Sequence, residues 1–261
     1  MKPVVYVTGH IHSTTVGLKL ARALGVTMRL VRDWRDDPEE LPTMYGILRG
    51  TGEIIHHCWK TGKPFVYVDH GFINPGHYAG YYRFVLNALY ATGKVSHYEE
   101  RLNLLNVTIK RDREFDGDHV LLVRPTDHVG LFFDVDLDAW QNRAMSAIAR
   151  RTSLPIRVSI KGDGKASDLP NAEFLVTAQS NLATDAIRLG VPVMRAPLPH
   201  SGAATPYLAE IANDVFDPRS APSGTPYPIR HLWLAGLANQ QFRLDEKAEL
   251  RKWFEEICSI P

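Results

Sequence analysis

The stretch from Leu154 to Met194 constrains the fold most. A short apolar run, Leu154 to Ile160, ends on Lys161, and a Gly/Asp/Ser-rich turn from Gly162 to Asp168 follows. A second run, Ala172 to Ala178, passes through Gln179-Ser180-Asn181 into a helical pattern, Leu182 to Leu189, closed by Gly190. A third run, Val191 to Met194, begins at once. The second run, the helix and the third run make a short βαβ unit, with the first run expected beside it as a neighbouring strand. Ser180 reads as the helix N-cap and Gly190 as the residue just past its end. The free N–H groups at that helix start make a ready anion site, and Lys161 would add a positive charge close by. The same residues also read as a plain capped helix and a solvated strand end, because helix caps are common.

A chain of 261 residues has room for one large domain or two small ones. No apolar run approaches the ~18 residues of a membrane span. Met1 to Val7 reads as a strand rather than a signal peptide. Cys58 and Cys258 are the only cysteines. They supply neither a disulfide framework nor a paired-Cys metal site, which fits a reducing cytoplasm. The net charge of +1 announces no global field for nucleic acid.

The chain opens with an apolar run from Pro3 to Thr8, then a polar loop, Gly9 to Thr15, that carries His10 and His12. An amphipathic helix is expected from Val16 to Leu24, stopped by Gly25, with a second strand from Val26 to Val31. Loops at the carboxyl ends of strands are where α/β proteins bind ligands. Asp33 to Pro42 reads as a surface loop, Glu53 to Lys60 as a helix, and Pro64 to Val68 as a strand ending on Asp69-His70-Gly71. After a turn at Pro75-Gly76-His77, the spacing from Tyr78 to Tyr90 fits a helix. A strand from His119 to Val123 starts the second half, which places domains at 1–117 and 118–261. The next helix carries the stripe Leu137, Trp140, Ala144, Met145 and Ile148, capped by Asp136 or Asp138. The tail reads as two helices, Arg230 to Phe242 and Leu244 to Glu256. No internal repeat is visible, yet both halves are rich in βα pattern, which predicts two facing α/β domains.

Asp69-His70 at a strand's carboxyl end offers a base and its orienter; the pair also reads as a cap beside a half-buried imidazole. His10 and His12 would need a third ligand to hold zinc. Arg49-Gly50-Thr51-Gly52 is either a backbone nest or a flexible turn. Neither GxxxxGK[ST] nor GxGxxG is present. Tyr81-Tyr82-Arg83 would serve stacking on a substrate or ordinary packing.

Together these features resemble the two-domain glycosyltransferases of the GT-B class. The resemblance rests on Val158-Ser159-Ile160-Lys161, Phe174-Leu175-Val176-Thr177, Ser180-Asn181-Leu182-Ala183-Thr184-Asp185-Ala186 and Gly190-Val191-Pro192-Val193. It implies two Rossmann-like α/β domains facing a central cleft, with the C-terminal helices packing back over the interface. It also implies a nucleotide-sugar donor, a UDP-sugar first among them. The donor would be held in the second domain by Lys161, Gln179, Ser180, Asn181 and Asp185, with no obligatory metal. Many members carry a Glu late in the sugar-binding helix; here Asp185 is the only acid there. Tyr45-Gly46-Ile47-Leu48-Arg49-Gly50 and Tyr67-Val68-Asp69-His70-Gly71 look like phage-encoded glycosyltransferases. Sugar transfer needs a base, for which Asp69 is the candidate with His70 as the alternative, and the acceptor side is expected to be formed by His10, His12, Arg49, Tyr82 and Arg83. The implied acceptor is hydroxymethylated pyrimidine in double-stranded DNA, hydroxymethylcytosine for example. Arg49, Lys60, Lys63, Arg83, Lys94, Arg101, Lys110, Arg111 and Arg113 would then line one face, and Tyr78, Tyr81 and Tyr82 would stack on an extruded base. The other readings are a polysaccharide or small acceptor, a non-catalytic nucleotide-binding module, and a metal-dependent phosphate-ester hydrolase.

Overall fold

The computed structural model describes residues 1–75, 80–90, 99–111, 116–199, 208, 211–222 and 224–259. In chain order the first elements are β1 (Lys2–Val7), α1 (Ile11–Leu24), β2 (Met28–Leu30), β3 (Glu40–Tyr45), α2 (Thr51–Thr61), β4 (Val66–His70) and β5 (Tyr82–Leu86). Next come α3 (Glu100–Leu104), β6 (His119–Val123), α4 (Asp127–Phe133), α5 (Leu137–Ala149), β7 (Ile156–Ser159), β8 (Ala172–Thr177) and α6 (Asn181–Leu189). The last are β9 (Val193–Arg195), β10 (Asn213–Asp214), α7 (Tyr227–Ala238), β11 (Gln241–Phe242) and α8 (Lys247–Cys258). No described helix is long and apolar enough to cross a membrane.

These elements form two compact α/β units, one of Met1–Leu89 with Gln240–Pro261, the other of Tyr90–Asn239. The expected cut at 117/118 is therefore displaced at both ends. The reason is local bonding. The guanidinium of buried Arg230 donates to the carbonyls of Thr225, Ile187, Lys110 and Arg111, which ties the segment before β6 to the second unit. The Gln241 side chain accepts from the Ile73 N–H and donates to the Ile73 carbonyl, which returns the tail to the first unit.

The first sheet runs β11-β5-β4-β3-β1-β2, with β2, β1, β3 and β4 parallel and β5 antiparallel to both neighbours. Its core joins Val5, Val7, Val16, Leu20, Val66, Val68 and Phe84 to Leu250 and Phe254 of α8. Helix α1 lies close on β1 because residue 17 is glycine: a Cβ there would stand 2.2 Å from Cγ1 of Val7. Three expectations fail in this unit. The helix starts at Ile11, so His12 sits in its first turn rather than in a loop. The expected loop from Asp33 to Pro42 already contains the start of β3. Pro42 is tolerated there because pairing with β4 begins only at Thr43, so its missing N–H leaves no gap in that ladder. The expected helix from Tyr78 to Tyr90 is strand β5, four of whose five residues are buried. Tyr-Arg-Phe-Val is strand chemistry, and the aromatic spacing mimicked a helical period. Residues 76–79, including Tyr78, lie outside the described residues.

The second sheet is wholly parallel, in the order β10-β9-β8-β6-β7. The Leu137–Ile148 stripe is buried at Leu137, Trp140, Ala144 and Ile148, and Asp136 is the cap, accepting from the N–H groups of Asp138 and Ala139. Strand β7 is not the neighbour of β8, as expected; β6 lies between them. The tail splits, with α7 ending at Ala238 and β11 following, where one helix to Phe242 was expected.

Both units are wound alike. The chain steps from β1 out to β2, then crosses to β3 on the other side; it steps from β6 out to β7, then crosses to β8. Each sheet thus has a switch point, between β1 and β3 and between β6 and β8. Ligands of open α/β sheets bind outside the carboxyl ends of the strands at such points.

Candidate functional site

At the switch point of the first unit, three side chains meet. His12 comes from the first turn of α1, Tyr45 from the last residue of β3, and His70 from the last residue of β4. Nε2 of His12 lies 2.7 Å from the Tyr45 hydroxyl, and Nε2 of His70 lies 3.2 Å from the same oxygen. A phenol has one proton to donate and an oxygen that accepts, so the hydroxyl can bridge the two rings, the donor at each contact being set by the tautomer of the imidazole. The His70 ring also stacks on buried Tyr82 at 6.0 Å and 22°.

Asp69, the expected base, is committed elsewhere. Its Oδ2 accepts from Arg83 at 2.9 Å and from the Tyr67 hydroxyl at 2.7 Å, and its Oδ1 accepts from the His70 N–H at 2.8 Å. Burial alone would raise its pKa, but the Arg83 charge, the Tyr67 hydroxyl and that N–H together hold the carboxyl below its ordinary value. A carboxylate so stabilised is a weak proton acceptor. Arg83 is itself only 3% exposed; it also donates to the His70 carbonyl and lies 5.2 Å over the Phe72 ring. Asp69 and Arg83 thus fix the β4–β5 pair that presents His70. Tyr82 is fully buried and offers no face to an extruded base. His10 is exposed and is the N-cap of α1, without a side-chain capping bond. Arg49 is exposed, at a φ of 58° between β3 and α2.

The second unit ends its central strands differently. Ser180 caps α6, its hydroxyl accepting from the Leu182 N–H at 3.2 Å, and Gly190 closes the helix at a φ of 80°. Gln179 precedes the cap; its carbonyl accepts from the Tyr90 hydroxyl at 3.3 Å. On one side of β8, Arg124 follows the last residue of β6. Its guanidinium reaches Oδ1 of Asp127 at 3.1 Å and Oδ1 of Asp138 at 2.9 Å, two strongly exposed carboxylates. On the other side, Arg195 ends β9, 3.8 Å from Asp214. The strand ends are pinned in register by the Thr177 hydroxyl, which donates to the Val123 carbonyl at 3.4 Å. Arginines therefore stand at the ends of the strands on both sides of β8, the strand that feeds the N-terminus of α6, whose dipole favours anions.

Comparison with known proteins adds little to this chemistry. A similar solved structure is that of Thermosulfurimonas dismutans KpsC, a beta Kdo 2,4 transferase, at 13% identity and a TM-score of 0.49, covering 90% of this chain and 89% of that one. No family model and no curated protein matches the chain.

Lys161 does not stand beside the α6 cap. It is exposed, past the end of edge strand β7, and β6 separates that strand from β8. At about 4.8 Å per strand spacing, it belongs roughly 10 Å to one side. Sequence reasoning missed Arg124 and Arg195, although each ends an apolar run as plainly as Lys161 does. Asn181 opens α6. Asp185 lies further along α6, 3.6 Å from Arg188; burial raises its pKa against the pull of that cation.

The residues expected on one basic face are divided between different environments and units. Arg83 is buried, Lys63 is bound to Asp36 and to the Asp37 carbonyl, and Arg101, Lys110 and Arg111 belong to the other unit. Lys94 and Arg113 lie outside the described residues. Among the described residues, no group of three or more His, Cys, Asp or Glu is placed to hold a metal ion. Burial pushes the Cys58 thiol up to about 11, which keeps it protonated.

Proposed function

We propose that the chain is a glycosyltransferase that moves a sugar from a nucleoside-diphosphate sugar to a hydroxyl acceptor. The observation that carries this reading is the strand-end set of the second unit. Arg124 and Arg195 stand at the ends of the strands on either side of β8, which feeds the N-terminus of α6, an arrangement suited to a diphosphate. In the proposed reaction the acceptor hydroxyl gives its proton to an imidazole of the first unit, His70 first and His12 through Tyr45. Its oxygen bonds the anomeric carbon as the bond from that carbon to the diphosphate oxygen breaks. The diphosphate leaves with the electron pair, and its charge is met by the two guanidiniums and the helix dipole. Asp69 serves by anchoring Arg83 and the His70 backbone rather than by taking the proton.

The acceptor we favour is a saccharide or small molecule. Burial of Arg83 and the pairing of Lys63 with Asp36 take two of the cations from a DNA-facing surface, which weakens the physical argument for DNA. The test is thermal shift with UDP-, GDP-, CMP- and dTDP-sugars, followed by product mass on saccharide acceptors and on hydroxymethylated duplex. A ligand that binds only the folded state raises its midpoint. A flat response to every nucleotide and nucleotide-sugar would sink the reading, while mass gain on the duplex alone would restore the DNA acceptor.

A further inference from the structure

We propose that Gln179 recognises the sugar half of the donor, its amide taking a pair of adjacent hydroxyls on the transferred ring. This rests on the donor site proposed above. Gln179 is 7% exposed. Its Nε2 and Oε1 are both buried without a hydrogen-bond partner among the described residues. Buried polar groups are nearly always paired, so an amide left empty on both sides requires an explanation. Its position supplies one. It lies two residues past the end of β8 and immediately before the Ser180 cap, next to the helix N-terminus to which the diphosphate is assigned. The transferred sugar hangs from the distal phosphate, so it lies on the same side of the crevice.

The chemistry selects the class of group. A phosphate oxygen would satisfy Nε2 and leave Oε1 empty; a cation would do the reverse. A hydroxyl both donates and accepts, so two neighbouring hydroxyls fill both ends of the amide. The Tyr90 hydroxyl holds the Gln179 carbonyl, so the backbone stays while the side chain turns about its three bonds. Turning towards a ligand breaks no hydrogen bond of the amide.

The measurement is titration calorimetry and thermal unfolding of wild type, Gln179→Met and Gln179→Leu, with UDP, UDP-glucose and UDP-galactose, and CMP with a CMP-sugar as a second series. Circular dichroism establishes the fold of each variant, and the two apolar shapes guard against a packing artefact. Removing an unpaired buried amide should raise the unfolding midpoint by about 2–4 °C. Affinity for the nucleotide alone should hold, while affinity for the nucleotide-sugar falls about 10- to 100-fold. The preference between glucose and galactose donors, which differ in the configuration of one hydroxyl, should shrink. An apolar variant that binds the nucleotide-sugar as wild type does would show that the amide holds only buried water and would overturn the proposal. Equal losses for nucleotide and nucleotide-sugar would move the contact to the nucleotide and overturn the sugar assignment. If wild type binds no nucleotide at all, the donor site itself falls, a result distinct from both.

Discussion

In the first unit the carboxyl ends of β1, β3 and β4 lead to imidazole and phenol; in the second, those of β6, β8 and β9 lead to guanidinium and amide. The winding of the two sheets is the same up to that point. The residues just past each strand end therefore set the chemistry, and the scaffold only gathers them. One arginine from each unit makes the contrast concrete. Arg83 is buried and spends its charge on Asp69 and the His70 carbonyl. Arg124 is held by two carboxylates that stand mostly in water. The first arrangement holds a shape, and the second leaves a cation that a phosphate can claim.

Five measurements press on that contrast. The largest effect is expected from His70→Ala, which removes the proposed proton acceptor. Turnover should drop by about 10²–10⁴ with donor affinity unchanged; a parallel loss of donor affinity would blur the division between the units. Next is Arg83→Met, which leaves the Asp69 carboxylate without its cation. Breaking a buried pair from one side should cost about 3 kcal/mol in chemical unfolding, against almost nothing for an exposed pair.

The same pair sets a pH dependence. The folded-state pKa of Asp69 lies below its unfolded value. Its contribution is therefore fully present above the unfolded value and is lost as pH falls through the folded one. The wild-type midpoint should decline below the ordinary carboxylate range, and Asp69→Asn should lessen that decline. An unaltered acid profile in the variant would assign the acid sensitivity to other carboxylates.

Arg124→Ala is expected to weaken donor binding by about 1.5–3 kcal/mol. Its exposed ion pairs contribute roughly 0–1 kcal/mol to stability, so the midpoint should barely move. A large midpoint loss with intact binding would make Arg124 a structural residue like Arg83. Smallest is Lys161→Ala, for which calorimetry should find donor affinity unchanged, because β6 separates its strand from β8.

How far the sequence could be read follows from the same particulars. Apolar runs ending in Gly, Arg or His marked most strands, and Ser180 and Gly190 marked α6, because caps and left-handed closures are local chemistry. Strand order is not local. Lys161, Arg124 and Arg195 all end apolar runs, and only the crossover to β8 decides which two stand on either side of that strand. Strand β5 was misread because a run of five residues, three of them aromatic or β-branched, fits either period when the flanking turn is unclear. Tyr45 entered only as the first letter of the Tyr45–Gly50 resemblance, since nothing in the spacing of His12, Tyr45 and His70 says that a helix and two strands bring them together. Asp69 and His70 stood out as adjacent letters, but their different partners divide them between scaffold and proton handling.

The return of the chain at Gln240 has a consequence for synthesis. A ribosome releases Met1 to Leu89 first, then the whole second unit, and only afterwards β11 and α8. Until then Tyr82 and Arg83 of β5 lack their β11 partners, and the Ile73 main chain lacks the Gln241 amide. The nascent first unit must wait, with one sheet edge open, while the later segment of the chain completes its own sheet, so the order of folding runs opposite to the order in which the two units begin.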